Sequence, residues 1–285
     1  MTSVKNAKSF LYWGAILSLL SFIPFIGGLL GFLGVVLYFV GLYEWRDIDD
    51  RPFTVGIAQI ILGLFFVVFL VIGMEHGFFA TLSFLKAFYV AMLYTYPVTA
   101  IMVMLERYLV QYFYEATGEE SFLKAKKMYF IGFLTTPFLV GILINLIGRV
   151  YEIMGYGSMT DNPKVLKGSE LDISGRQIGG AVLYSIALSA LIIYLVTPHY
   201  DVKLEKGKVE VLLRKVDGKY EAKVVYHGRC WGSCIREISV DGKVVYTGTS
   251  YAFVDGKQIV SLTIPVNSSV LVVNDGYERY TFNLK

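Results

Sequence analysis

Long stretches of this chain lack ionisable groups. Residues Ser9–Tyr43 contain no Asp, Glu, Lys, Arg or His, and the runs Pro52–Met74, Ala87–Leu105, Met128–Gly148 and Gln177–Pro198 share that lack. A helix crossing the hydrocarbon core of a bilayer needs about 20 consecutive apolar residues, so the first two-thirds of the chain reads as a membrane domain. Cysteine is also scarce: two residues exclude a multi-disulfide scaffold. A net charge of +3, with no concentrated basic stripe, argues against nucleic acid as a partner. No Walker, dinucleotide-binding or His-Glu-x-x-His pattern occurs, and the three histidines accompany no nucleophile motif. The sequence therefore nominates no catalytic residue, metal site or cofactor, and the protein reads as not an enzyme. A small-residue cleavage site does not follow the first apolar run, so that run reads as a helical hairpin rather than a signal peptide.

What is present divides into two regions. Residues 1–198 predict an all-α membrane bundle of six transmembrane helices, at about 8–25, 28–45, 54–74, 86–107, 128–148 and 177–197. Pro24, Gly27 and Gly28 break the first run into a tight hairpin. Starting the fourth span at Phe78 would sink Lys86 about 12 Å into the bilayer at 1.5 Å per residue, so the span is placed from residue 86, with Phe78–Leu85 near the surface. Glu106 and Arg107 then mark its other end, and 108–127 is an amphipathic connection. No Asp or Glu lies in the middle of any expected span. Residues 199–285 alternate apolar and charged positions. Lys206-Gly207, Asp217-Gly218, Asp241-Gly242, Asp255-Gly256 and Asp275-Gly276 punctuate them, which predicts a soluble antiparallel all-β, sandwich-like domain of seven or eight strands.

Six spans place both termini on one side of the cell membrane. Lys5, Lys8, Arg46, Arg51, Arg107, Lys124, Lys126 and Lys127 then share the N-terminal side against Arg149, Lys164, Lys167 and Arg176, which favours cytoplasmic termini. Two features lean the other way for the tail: the Cys230/Cys234 pair, and the glycosylation triplet Asn267-Ser268-Ser269.

The Asn6-Ala7-Lys8 start, the Ser21-Phe-Ile-Pro24-Phe-Ile-Gly27-Gly28 turn and the glycine-spaced helix through Gly41 resemble uncharacterised archaeal multi-span membrane proteins. The resemblance lies mainly in residues 1–75 and implies no activity and no site.

Candidate residues fall into three sets. Gly27, Gly31, Gly34 and Gly41 form a small-residue face suited either to packing within the first hairpin or to a homo-oligomer interface. Pro97 and Pro137 interrupt the fourth and fifth spans beside hydroxyls. With Gln59, Tyr94, Thr95, Thr135, Thr136 and Asn145 they outline a candidate transport cavity, unless those hydroxyls merely satisfy the carbonyls that the prolines free. His227-x2-Cys230-x3-Cys234 offers three zinc-type donors where a structural site wants four, so a close thiol pair without metal is expected. Two functions follow: a structural or interaction protein that displays a β domain to a protein partner at the bilayer surface, or a small-molecule or ion transporter or channel. Clustering of Glu75, His76 or Glu152 with other ionisable groups would instead point to an intramembrane enzyme.

Overall fold

The computed structural model describes residues 2–81, 83–166, 175–228, 233–248, 252–254 and 257–284. Seven helices come first: α1 (Thr2–Leu19), α2 (Gly27–Glu44), α3 (Arg51–Thr81), α4 (Phe84–Thr117), α5 (Glu120–Thr135), α6 (Val140–Ser158) and α7 (Gly175–Val196). Nine strands follow: β1 (Val202–Lys206), β2 (Val209–Val216), β3 (Lys219–Tyr226), β4 (Glu237–Val240), β5 (Lys243–Thr247), β6 (Ala252–Val254), β7 (Lys257–Pro265), β8 (Val270–Asn274) and β9 (Arg279–Asn283). The chain divides into two compact units. One comprises residues 1–70 and 92–192; the other joins the ends of α3 and α4 (71–91) to 193–285. The strands thus share their unit with a helical segment that the sequence assigned to the bundle.

Among the described residues four helices, and not six, are long and apolar enough to cross a membrane: α2 with the short turn after it, α3, α4 and α7. The expected fifth span is the clearest correction. Residues 128–148 are not one helix. α5 stops at Thr135, a 3-10 turn spans Thr136–Phe138 with Pro137 in its first turn, and Leu139 adopts a left-handed conformation at φ 64°. α6 then runs back along α5. The first hairpin uses the same device at Leu20–Ile26, with Phe25 at φ 67°. α4 also runs ten residues past Arg107, so Glu106 does not mark a helix end.

Both hairpins close through glycine. Gly14 lies against the α2 backbone at Tyr38, Gly34 against Ser18, and Gly41 against Leu11 of α1. Gly27 and Gly31 meet Ser21, so the stripe considered for a homo-oligomer is occupied within the chain. In the second hairpin, Gly132 faces Asn145, Gly148 faces the Tyr129 ring and Gly155 faces Phe122. Three connections and the start of α1 meet at one end of this unit. Lys8 Nζ donates to the Met159 carbonyl at 2.7 Å, Arg51 Nη2 to the Leu166 carbonyl at 2.7 Å, and the Lys164 amide to the Ala116 carbonyl at 2.7 Å. Trp45 Nε1 reaches Tyr112 OH at 3.2 Å. There Arg51 pairs with Asp49, which also accepts from the Arg51 amide; burial opposes the Asp49 charge, but these bonds hold its carboxyl below the usual range. The opposite ends of the hairpins are apolar: Phe25 is fully exposed, as are most of Ile26, Phe138 and Leu139.

The strands form two antiparallel sheets, ordered β1-β2-β3-β7-β6 and β5-β4-β8-β9. One buried core joins Val211, Val224 and Ile264 of the first to Ile238, Leu271 and Phe282 of the second. The Asp-Gly signals do what their chemistry allows: Asp217-Gly218 and Asp241-Gly242 both hold positive φ in two-residue hairpin turns. Asp275 ties the sheets. It accepts from the Tyr277 and Glu278 amides and from the hydroxyls of Tyr226 on β3 and Tyr280 on β9. Burial opposes its charge, yet those donors keep it below the usual carboxylate range. The other face of the first sheet is covered in part by Phe78, which packs on Val225 and Ile259. Lys223 shares that face at 1% exposure, 6.0 Å from the centre of the Tyr200 ring.

Desolvation pushes Lys223 down to about 8, against the raising effect of Glu210. Its unfolded value is about 10.4. Between these values the unfolded chain binds more protons, so stability rises with pH through that window and the cost of the buried ammonium is complete below it. Thermal unfolding followed by the sheet signal in circular dichroism should gain up to about 3 kcal/mol between pH 8 and pH 10. Lys223→Met should remove that slope. A second expectation concerns the first hairpin. Gly34→Ala should destabilise it by about 1–3 kcal/mol, because its Cβ overlaps the Ser18 backbone, whereas the open position Gly28→Ala should be neutral or mildly stabilising in the same thermal assay.

Candidate functional site

Helical spacing puts Arg149 and Glu152 on one face of α6, with Tyr156 one turn further. Gly148 and Gly155 on the same face let the rings of Tyr129 and Phe122 lie close to the helix. Arg149 Nη1 donates to both Glu152 Oε2, at 2.7 Å, and Glu106 Oε1 on α4, at 3.0 Å. Glu152 is fully buried, and Arg149 and Glu106 are nearly so, at 19% and 16% side-chain exposure. The remaining carboxylate oxygens are also met. Tyr38 OH on α2 donates to Glu152 Oε1 at 3.2 Å and lies 2.9 Å from Tyr156 OH. Tyr129 OH on α5 donates to Glu152 Oε2. Gln59 Nε2 on α3 donates to Glu106 Oε2 at 2.5 Å. The guanidinium also stands 5.0 Å from the centre of the Tyr38 ring, a cation–π distance. Five helices thus supply one hydrogen-bonded cluster.

One side of the cluster opens on a cleft of about 480 Å³. Gln59, Glu106 and Arg149 form its polar end. Its walls are apolar, from Val35 and Phe39 on α2, Ile60 and Leu64 on α3 and Met102 on α4, with Gly56 and Gly63 leaving the space open. Glu152 is enclosed by Arg149 and two tyrosines, so Glu106 is the carboxylate that faces the cleft. Arg107, its sequence neighbour, points elsewhere and stands over the Phe130 ring at 4.6 Å.

The candidate cavity set from the sequence is not brought together. Gln59 is the one member that lines this cleft. Thr95 and Thr99 hydroxyls donate to the Met92 and Thr95 carbonyls around Pro97, and Thr135 and Thr136 to the Ile131 and Gly132 carbonyls before Pro137. The hydroxyls satisfy their own helices. Pro97 remains inside a continuous helix, and Pro137 makes a turn rather than a kink. Asn145 packs on Gly132 with its Oδ1 unpaired among the described residues. Tyr94 is half-buried on α4. The expectation that no carboxylate lies inside a span fails at Glu106. The missed signal is the amphipathic pattern of 108–117, which continues the helix, together with the Arg149-x2-Glu152-x3-Tyr156 spacing. In the β domain, Cys234 is buried and disulfide-bonded. His227 Nε2 pairs with Glu210 at 2.7 Å. Cys230, Trp231 and Tyr251 lie outside the described residues.

Arg149→Met should leave Glu106 and Glu152 buried without a counter-charge, at a cost of about 3–5 kcal/mol. Adding Glu106→Gln and Glu152→Gln should recover most of the lost thermal stability in detergent.

No family model matches the sequence, and no solved structure matches it. Among characterised sequences, the Uncharacterized protein MJ1644 of Methanocaldococcus jannaschii is 30% identical over 179 residues, covering 56% of this chain and 96% of that protein. That near-complete coverage supports the archaeal resemblance first suggested by the N-terminal motif. The chain belongs to the family of this uncharacterised archaeal protein.

Proposed function

We propose that this is an integral membrane protein whose helical unit binds a small amphiphile with a cationic head in the cleft between α2, α3 and α4. One observation carries the reading: the Glu106 carboxyl stands with Gln59 and Arg149 at one end of a cleft whose walls are apolar. Buried charges are retained where they are paired or where they serve a site. The cleft has the size of a small-molecule pocket, and its few polar groups converge at one end. An alkylammonium head would meet Glu106 and the Gln59 carbonyl while its chain lay along Val35, Ile60 and Leu64. The exposed apolar residues of α3, among them Leu64, Phe65, Val67 and Val68, suit lipid on the outside of the same helix. The proposed site shares Gln59 with the transport cavity outlined by the sequence and otherwise differs from it. Glu152 does cluster with other ionisable groups, but both carboxylates share one guanidinium and no histidine or cysteine lines the cleft, so binding is favoured over catalysis.

The display of a β domain to a protein partner is the second reading. Its support is the edge strand β5, exposed along most of its length with Val244 and Val245 outward. Such an edge pairs readily with a strand from another chain.

Purified protein in an uncharged maltoside detergent tests the first reading. Octylamine and decylamine should raise the thermal midpoint, as a ligand at a hundredfold excess over Kd stabilises by about 2.7 kcal/mol. Octyl and decyl sulfate should not, and Glu106→Gln should lose the amine response. Equal responses to amines and sulfates, or an undiminished response in Glu106→Gln, would overturn it.

A further inference from the structure

The three connections that meet with the start of α1 at one end of the helical unit set the direction of every helix in it. α1, α3, α5 and α7 leave that end, and α2, α4 and α6 return to it. α7 follows this rule: Gln177 lies beside Arg107, Ala181 packs with Met104 and Tyr96, and Tyr184 OH reaches the Leu134 carbonyl near the tip of the second hairpin. Each hairpin goes out and back, so α1–α2 and α5–α6 leave the side unchanged whether or not their tips reach the opposite membrane surface, and α3, α4 and α7, three of the four helices long enough to cross, bring the chain out on the far side.

Charge chooses the sides. Among the described residues of the helical unit, every Lys and Arg falls at the end where the connections meet or in the adjoining half of a helix, apart from Arg149 at the middle of α6. The two turns at the far end, Leu20–Ile26 and Thr136–Leu139, carry no charge. Cationic connections stay in the cytoplasm. The six-span reading split these residues between two sides; seven helices gather them on one. Two further observations, independent of charge, agree. Cys234 is disulfide-bonded, and such bonds persist outside the reducing cytoplasm. Asn267 is exposed in the turn between β7 and β8, at the head of the Asn-Ser-Ser triplet.

We propose that the chain enters the membrane from a cytoplasmic N-terminus and delivers the β domain to the extracytoplasmic face, where Asn267 is an N-glycan acceptor. The proposal rests on membrane insertion and is independent of what the cleft binds. In the modification, Asn267 Nδ2 forms a bond to the anomeric carbon of a polyprenyl-phosphate-linked sugar. The bond from that carbon to the phosphate oxygen breaks, the lipid phosphate leaves, and Nδ2 loses one proton.

Full-length protein carrying Tyr277→Cys or Asp161→Cys, both exposed positions, would be expressed in bacterial cells and probed with a membrane-impermeant maleimide. Tyr277→Cys should label in spheroplasts, and Asp161→Cys only after permeabilisation. The reverse pattern, or the same accessibility at both positions, overturns the topology. Extraction of the protein by alkaline carbonate would instead overturn membrane insertion itself, which separates the two failures. Translation of the full chain with microsomes should give one glycosylated band that Asn267→Gln removes. A band unchanged by Asn267→Gln, or no such band, overturns the acceptor assignment.

Discussion

The helical unit depends on one guanidinium. Arg149 is desolvated between two carboxylates that approach from different helices, and a charge so placed is tolerable only while its partners stay in place. That condition reaches further than α4 and α6. Gln59 holds Glu106 from α3, Tyr38 holds Glu152 from α2, and Tyr129 holds it from α5. Each hairpin therefore contributes a donor to a carboxylate it does not own. Splaying either hairpin would strand a polar atom in a place that water does not reach, so the ionic cluster acts as a register device for helices whose surfaces are otherwise apolar and interchangeable.

Close approach makes that register available. Glycines on α2 and α6 bring backbones and rings within reach, and the tyrosine hydroxyls can then span the remaining distance. Both hairpin turns accept a left-handed non-glycine residue, Phe25 and Leu139, which is an uncommon conformation for side chains of this bulk. Each is held by a neighbouring 3-10 turn whose backbone bonds are internal: the Gly27 amide to the Ile23 carbonyl, and the Leu139 amide to the Thr136 carbonyl. A turn that satisfies its own backbone and exposes Phe, Ile and Leu is suited to a solvent without hydrogen-bonding capacity.

Much of this was legible in the sequence, and the exceptions have physical reasons. The first hairpin could be read because Pro24, Gly27 and Gly28 break a run far too long for one helix. The second could not, because Met128–Gly148 has the length of one span and its breaker, Thr135-Thr136-Pro137-Phe138-Leu139, contains no glycine. Proline in a membrane helix reads equally as a kink. The β strands were legible because two-residue turns demand positive φ, which Asp-Gly supplies. Glu106 was misread because a charge after an apolar run looks like the end of a span, although Tyr108–Thr117 carries the helix on. Gln59, considered in the sequence only for a cavity, donates between helices to Glu106, a partner outside that set.

Hydropathy measures contact with an apolar medium and carries no information on chain direction. A run of about 20 apolar residues is equally a single crossing or two shorter arms. One such ambiguity changes the parity of the bundle, and parity decides which side every later residue occupies. Here the six-helix reading set the cation count against the thiol pair and the glycosylation triplet. Splitting one run at Pro137 makes all three agree under the proposed path. Membrane potential, redox chemistry and turn exposure are signals of unrelated physical origin, so a proposed path that reconciles them can be tested through each one separately.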